Sequence, residues 1–317
     1  MIPFAVSAVG LAYRNLIKPA LFQIDPEKVH QLATSVGEQL GNHSLVPNLV
    51  APIFKSSAPS LRQQISGISF ISPIGLAAGF DYEAKLTQIL PALGFGFQTV
   101  GTITHLAYGG NPRPMLGRLP KSKSLMVNKG FKNLGAKKTI QNLSGLSFEI
   151  PVGISIGRTN SLALKTQKQS VADIVETFTS FEESNIGHSY YELNISCPNL
   201  LGNITFYPQK NLKELLVELD RLKLSRPVFV KMPIDKTDSE TFLMLETISK
   251  HCPVGIIFGN LQKDRHHPSL HPEEVAKFSV GNFSGRPTFP RSNELIKLAY
   301  KNYRQKLIII GCGGVFT

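Results

Sequence analysis

From about Ile68 onward, short unbroken apolar runs alternate with stretches in which apolar positions recur every three or four residues. The runs cover residues 74–79, 97–104, 152–157, 190–196, 227–233, 254–260 and 307–314. They are too short for helices and read as strands buried on both faces. Helix-length segments lie between them at residues 82–93, 171–184, 212–222, 239–251 and 292–303. This alternation predicts a parallel sheet flanked by helices. Several strands end in Gly, Asn, Thr or Ser, as a ligand-facing rim would. A (β/α)8 TIM barrel fits best, with a doubly wound open sheet as the alternative. The count reaches seven strands, and the chain stops at Gly313-Gly314-Val315-Phe316-Thr317, directly after the seventh. The expectation is therefore an α/β barrel lacking its C-terminal eighth β/α unit, since an eighth strand is needed to close the edge.

The first 55 residues follow another pattern and predict a small N-terminal helical domain (1–55) ahead of the barrel (56–317). Asp25-Pro26-Glu27 is a helix start: a capping acceptor, a proline at the first helical position and a carboxylate near the N-terminal dipole. Val29, Leu32, Val36 and Leu40 then form one apolar stripe, and Gly41 ends the helix. Such a unit can cap the main domain. With Arg14 and Lys18 beside an apolar first segment, it can equally lie in a membrane interface.

Composition narrows the classes. Of 317 residues, 42% are hydrophobic and 18% charged, which supports a large core and argues against disorder. A formal charge of +12 leaves nucleic acid, an anionic membrane surface or an anionic ligand open. No zinc-finger spacing or RNA-binding aromatic signature is present, so no nucleic-acid partner is expected. Cys197, Cys252 and Cys312 are too few and too scattered for a disulfide framework or a Cys-x-x-Cys metal site, and suit a reducing compartment. The His266-His267 pair lacks ligand spacing, so no metal is expected. No run reaches the ~18 apolar residues that cross a bilayer. The N-terminus lacks the charged start of a secretory signal. A cytosolic or membrane-surface protein is expected.

The candidate chemistry centres on Tyr191-Glu192-Leu193-Asn194-Ile195-Ser196-Cys197-Pro198-Asn199, a strand that breaks into a loop at proline. Cys197 is either a packed thiol or, on this irregular tip, a general base. Lys231 lies inside the apolar run Phe229-Val230-Lys231-Met232, where it either pairs with a core carboxylate or faces an anionic cofactor ring. Asn194, Asn199 and Asn260, at or near strand tips, are turn caps or a ligand-reading set. Gly311-Cys312-Gly313-Gly314 after an apolar run suits a phosphate-binding turn. No Gly-x-Gly-x-x-Gly opens a helix after the first strand, which disfavours a Rossmann site.

Taken together these residues resemble the dihydroorotate dehydrogenases, flavin enzymes of pyrimidine synthesis. Pro19-Ala20-Leu21-Phe22-Gln23-Ile24-Asp25-Pro26-Glu27 with His30 is similar to the N-terminal signature of the membrane-associated, quinone-linked class. In the barrel the resemblance rests on Gly75-Leu76-Ala77-Ala78-Gly79-Phe80-Asp81, Gly94-Phe95-Gly96 and Val100-Gly101-Thr102-Ile103-Thr104. It continues in Gly110-Asn111-Pro112-Arg113-Pro114, Asn194-Ile195-Ser196-Cys197-Pro198-Asn199 and Phe283-Ser284-Gly285-Arg286-Pro287.

The resemblance implies oxidation of dihydroorotate to orotate with FMN at the barrel mouth, electrons passing to a quinone. It implies a peripheral protein on the cytoplasmic side of the cell membrane. It places Ala78, Gly79, Thr102, Ser155, Asn194, Lys231, Gly285 and Gly314 on flavin-contacting positions. It places Asn128, Gly130, Phe131, Asn199 and Asn260 on the substrate, and Cys197 on the base that takes the C5 proton. Residues 200–207, with Gly202 as hinge, would form a lid. Cysteine at the base position is the soluble class's choice, whereas the N-terminus is of the quinone-linked class. Tyr82 stands where the family has a lysine, Val127 and Ser155 where it has asparagines, and Gly259-Asn260-Leu261 where it has Thr-Asn-Thr. Lys85, Lys129 and Lys132 are candidates to restore the missing charge. Two alternatives stay open: a flavin barrel with a soluble acceptor such as fumarate or another cyclic substrate, and a flavin-binding barrel without turnover.

Overall fold

The computed structural model describes residues 2–55 and 58–314. Its main sheet has seven parallel strands: β1 (Gly75–Leu76), β2 (Phe97–Ile103), β3 (Val152–Ile156), β4 (Tyr190–Asn194), β5 (Val228–Met232), β6 (Gly255–Phe258) and β7 (Ile308–Gly311). They lie side by side in the order in which the chain makes them. That order decides between the two predicted architectures. A doubly wound sheet reverses direction at a switch point, whereas a barrel wall winds one way throughout. Among the described residues, β1 and β7 have one neighbour each and do not pair with one another.

Every residue of β3 to β6 is buried. Their outward side chains, such as Ile154, Tyr191 and Val230, pack against Phe178, Leu215, Leu216 and Leu245 of the surrounding helices. Alternate positions, Tyr190, Phe229 and Ile257, join Ile68, Phe97 and Ile308 in a separate apolar plug. The plug lies toward the strand starts, leaving polar chemistry to the C-terminal tips. A three-stranded antiparallel sheet (Leu116–Leu119, Ser124–Val127 and Asn282–Phe283) has its own small core around Leu119, Met126 and Phe283.

Four of the predicted helices are present as Gln167–Glu182, Gln209–Leu222, Asp238–Ile248 and Phe289–Tyr303. Two start earlier than the apolar periodicity suggests because polar capping boxes begin them, Thr166 with Gln169 and Thr237 with Glu240. Residues 82–93 do not form the predicted helix but a series of turns. The Asp81 carboxylate accepts the amides of Lys85 (2.8 Å) and Leu86 (2.9 Å), and Ala84 has φ +62°. Left-handed backbone at Ala84 cannot be part of an α-helix.

The N-terminal helices are Ile2–Ala12, Lys18–Phe22, Pro26–Asn42 and Val46–Phe54. Helix Pro26–Asn42 has its predicted cap, with Asp25 Oδ1 accepting the amide of Lys28 at 3.0 Å. Its apolar stripe behaves unexpectedly. Leu32, Val36 and Leu40 face solvent, while Glu27, Thr34 and the glycines turn toward the barrel. A Cβ on Gly41 would lie 2.9 Å from Ile89 N, and one on Gly37 would collide with the Leu86 side chain. The helix is seated by its polar, small-residue face, and its apolar face is left uncovered.

Candidate active site

Side chains from β2, β3, β4 and the turn after β6 form one continuous line of hydrogen bonds, and Lys231 of β5 adjoins it as an ion pair. Asn260 Nδ2 donates to Ser196 Oγ (2.5 Å), and Ser196 Oγ donates to Asn194 Oδ1 (2.9 Å). Asn194 Nδ2 donates to Thr102 Oγ1 (2.8 Å), which lies 2.9 Å from Ser155 Oγ. Ser155 Oγ donates to Glu192 Oε1 at 2.6 Å, and Lys231 Nζ lies 3.8 Å from the same oxygen. Burial works against the Lys231 charge, but Glu192 and the nearby Cys312 and Cys197 thiols outweigh it and hold its pKa above the ordinary lysine value. Lys231 thus has the core carboxylate that the sequence left as one of two readings. Glu192 was missed because an acid in a strand usually faces water. A carboxylate two residues before Asn194 in an otherwise apolar strand is the available signal.

Cys197 follows β4 and opens on a cavity of about 130 Å³. Arg158, Asn194, Lys263 and the covering segment Leu200, Ile204 and Phe206 line it with Cys197. Gly202, the predicted hinge, also lines it and has φ +78°. Burial pushes the Cys197 thiol up to about 11, against the amide of Asn199 and the cations Lys231, Lys263 and Arg158. The cavity's cations, Arg158 and Lys263, were not singled out from the sequence. Arg158 directly follows the last glycine of a predicted strand, which was the local cue.

The substrate-side amides predicted from the sequence gather elsewhere on the mouth. Asn111 Nδ2 donates to Asn128 Oδ1 (3.0 Å) and to Asn199 O (2.9 Å). Asn199 Nδ2 donates to Val127 O (3.0 Å), and Asn282 Nδ2 donates to Asn199 Oδ1 (2.7 Å). Asn160 Nδ2 donates to Gly130 O (3.0 Å), next to Phe131. The three asparagines read as one ligand set therefore divide: Asn194 and Asn260 share Ser196, while Asn199 belongs to the Asn111 group.

Tyr82 is buried where the resemblance implies a lysine. Lys129 Nζ stands 4.3 Å above its ring centroid and donates to its hydroxyl at 3.3 Å. His30 stacks on the other side of the cluster, ring centroids 5.4 Å apart. Glu27 pairs with Lys132 (3.3 Å) and Lys129 (3.7 Å). Burial draws the Lys129 ammonium down to about 8, with Glu27 opposing. Of the three candidate lysines, Lys85 instead pairs with Glu83 at 2.6 Å.

At the far side of the mouth, the backbones of Gly285 and Gly314 meet at the start of helix Phe289–Tyr303. Gly314 has φ +66°, and a Cβ there would lie 2.7 Å from Phe289 Cβ and 3.2 Å from Gly285 O. On this helix the buried Ser292 Oγ has no hydrogen-bond partner among the described residues. Over β1, by contrast, a Cβ on Gly79 (φ +108°) would meet nothing within 4 Å.

Known proteins match this chain over most of its length. The family model described as Dihydroorotate dehydrogenase matches residues 60–317. The chain belongs to the dihydroorotate dehydrogenase family. It is 30% identical over 306 residues to the dihydroorotate dehydrogenase (quinone) of Corynebacterium diphtheriae, spanning 96% of this chain and 82% of that protein. Identity to the dihydroorotate dehydrogenase (quinone) of Roseiflexus castenholzii is 32% over 313 residues, 96% of this chain and 81% of the relative. The structure of the Eimeria tenella enzyme in complex with ferulenol superposes with a TM-score of 0.78 at 25% identity, covering 92% of this chain and 81% of that one.

Dihydroorotate dehydrogenases are flavin-dependent, and the residues here fit a flavin. A glycine-lined turn at a helix N-terminus with an orphaned serine hydroxyl suits a phosphate. Open space over Gly79 and a buried lysine across the mouth suit a flat, electron-accepting ring. Among the described residues no group of three His, Cys, Asp or Glu could hold a metal ion.

Proposed function

We propose that this protein oxidises dihydroorotate to orotate in pyrimidine biosynthesis and passes the electrons to a quinone. The observation that carries the reading is Cys197 at the tip of β4, in a cavity with two cations, beside the Thr102–Asn194 pair and the Lys231–Glu192 ion pair. The quinone-linked relatives span 96% of the chain, which supports the acceptor.

FMN, when bound, would accept hydride from substrate C6. Ala78, Gly79, Thr102, Ser155, Asn194 and Lys231 would hold its ring, and Gly285 and Gly314 its phosphate. Lys231, its charge kept in place by Glu192, would stabilise the negative charge that the flavin ring gains on reduction. Cys197 Sγ, as thiolate, takes the C5 proton. Asn128, Gly130, Phe131, Asn199 and Asn260 would orient the substrate, with Asn128, Asn199 and Asn260 exchanging their present bonds to Asn111, Val127 O and Ser196 for bonds to ring amides. Residues 200–207, several of which line the cavity, would close over it and keep water from the reacting carbons. The helices before residue 55 would form a separate docking unit that rests on the cytoplasmic side of the cell membrane. Among the described residues no helix is long and apolar enough to cross it.

The test is anaerobic mixing of the flavin-loaded protein with dihydroorotate, followed by a quinone analogue or fumarate. Bleaching of the flavin and reoxidation by the quinone are expected. A flavin that stays oxidised sinks the substrate, and reoxidation by fumarate alone sinks the acceptor.

A further inference from the structure

Arg158, at the tip of β3, is 2% exposed and heads the fully buried side chains by size. A guanidinium carries five N–H donors in a rigid plane. Among the described residues, one hydrogen bond from this one is found: Nη2 donates to Leu201 O at 2.6 Å. Its Nε is buried without a partner among the described residues. No carboxylate of the described residues lies within ion-pair distance of it. Asp173, the nearest acid to act on it electrostatically, is engaged by Thr159, whose amide and hydroxyl both donate to it at 2.7 Å.

The other cations of the mouth are compensated. Lys231 has Glu192, Lys263 has Asp235 at 2.8 Å, and Lys129 and Lys132 share Glu27. Tyr82, neutral, stands where a positive charge was expected. A buried guanidinium with no carboxylate in ion-pair contact is costly, because the more distant Asp173 offsets only part of its desolvation. Arg158 nevertheless lines the same cavity as Cys197, with its unused donors there to be satisfied.

We propose that Arg158 is the receptor for the carboxylate of a cyclic substrate in this cavity, and that the same guanidinium latches the covering segment through Leu201 O. The inference rests on the function proposed above and names the group that reads the substrate's anionic end. A planar carboxylate matches the guanidinium fork and supplies the missing counter-charge. Because Nη2 already holds the cover, carboxylate binding and closure depend on one side chain. Discrimination between a ring that carries a carboxylate and the same ring without one follows, since an uncharged ring leaves Arg158 as unpaired as before.

The experiment measures, by titration calorimetry on the flavin-loaded full chain, the affinities for orotate and for uracil, the same ring without the carboxylate. Arg158→Met keeps the apolar stem, and Arg158→Lys keeps the charge without the fork. Arg158→Met is expected to weaken orotate by roughly 30- to 100-fold and uracil by less than about threefold, with Arg158→Lys between. Equal losses for both ligands would reduce Arg158 to a latch and overturn the proposal, as would an unchanged preference for orotate. If Arg158→Met fails to fold, as judged by its melting curve, Arg158→Lys decides: an orotate preference equal to the wild type's overturns the proposal. A wild type that prefers orotate, with the preference kept in both variants, defeats only this inference. A wild type with no preference for orotate defeats the proposed substrate as well.

Discussion

At the scale of single residues, Cys197 is the sharpest case. Its placement was legible because a thiol beside a proline at the end of an apolar strand has to leave the sheet. Its environment was not. Burial raises the thiol to about 11, and the three cations that oppose burial come from β5, the tip of β3 and the loop after β6. At pH 7 such a thiol is ionised in only about one molecule in 10⁴. Activity limited by thiolate is therefore expected to rise about tenfold per pH unit from pH 7 toward 11; a pH-rate profile flat over pH 7–9 would rule out a free-thiolate base. Cys197→Ala is expected to lower the rate of flavin reduction by about 10²- to 10⁴-fold with FMN still bound, as a stopped-flow trace and the flavin spectrum would report. Arg158 and Glu192 escaped the sequence for a related reason. A charged residue at a strand tip can always point into water, and only the packed neighbours show that it does not.

At the scale of elements, the strands were the most legible and the N-terminal helix the most misleading. Apolar runs in a parallel sheet have both faces covered, so the run itself marks the strand. In helix Pro26–Asn42 the periodicity was correct, but the face that docks is the one with Glu27, His30, Gly37 and Gly41. Shape and charge decide here: the glycines allow close approach to Leu86 and Ile89, and Glu27 compensates Lys129 and Lys132. Glu27→Gln leaves two poorly solvated ammonium groups without their carboxylate, and should cost about 3 kcal/mol of stability, read as a lowered melting temperature. It should also move the Lys129 pKa further below about 8, because Glu27 is the group that raises it. Gly41→Val is expected to lift the helix from the barrel and speed trypsin cleavage between residues 42 and 58; protection equal to the wild type would show that the seat tolerates a side chain. Residues 82–93 failed as a predicted helix because Asp81 satisfies two backbone amides locally, a competition that apolar spacing does not register.

At the scale of the whole molecule, apolar exposure is concentrated on the N-terminal helices. Leu16 is 71% exposed, Leu49 72% and Leu45 62%, alongside the outward stripe of Leu32, Val36 and Leu40. This surface supplies apolar area for interfacial binding, and the formal charge of +12 carried by the whole chain adds attraction to anionic lipid. The protein is expected to co-sediment with anionic vesicles at low salt and less at high salt. The double substitution Leu16→Glu and Leu49→Glu should weaken this about tenfold or more while leaving flavin reduction by dihydroorotate unchanged. Equal binding by the double variant would remove the membrane role from these helices.

The sequence by itself determined the β/α alternation, the seven strands, the polar residues at their tips and the family resemblance. Each of these is written in local order, as runs, breaks and motif spacing. The tertiary structure alone decided which polar groups meet. It joined Asn260 to Glu192 through side chains from four strands or the turns after them, and separated Asn199 from Asn194 despite their nearness in sequence. It gave Lys231 a carboxylate and, among the described residues, left Arg158 without an ion-paired one. Charge compensation is a property of neighbours in space, and the neighbours of Arg158 come from segments tens of residues away.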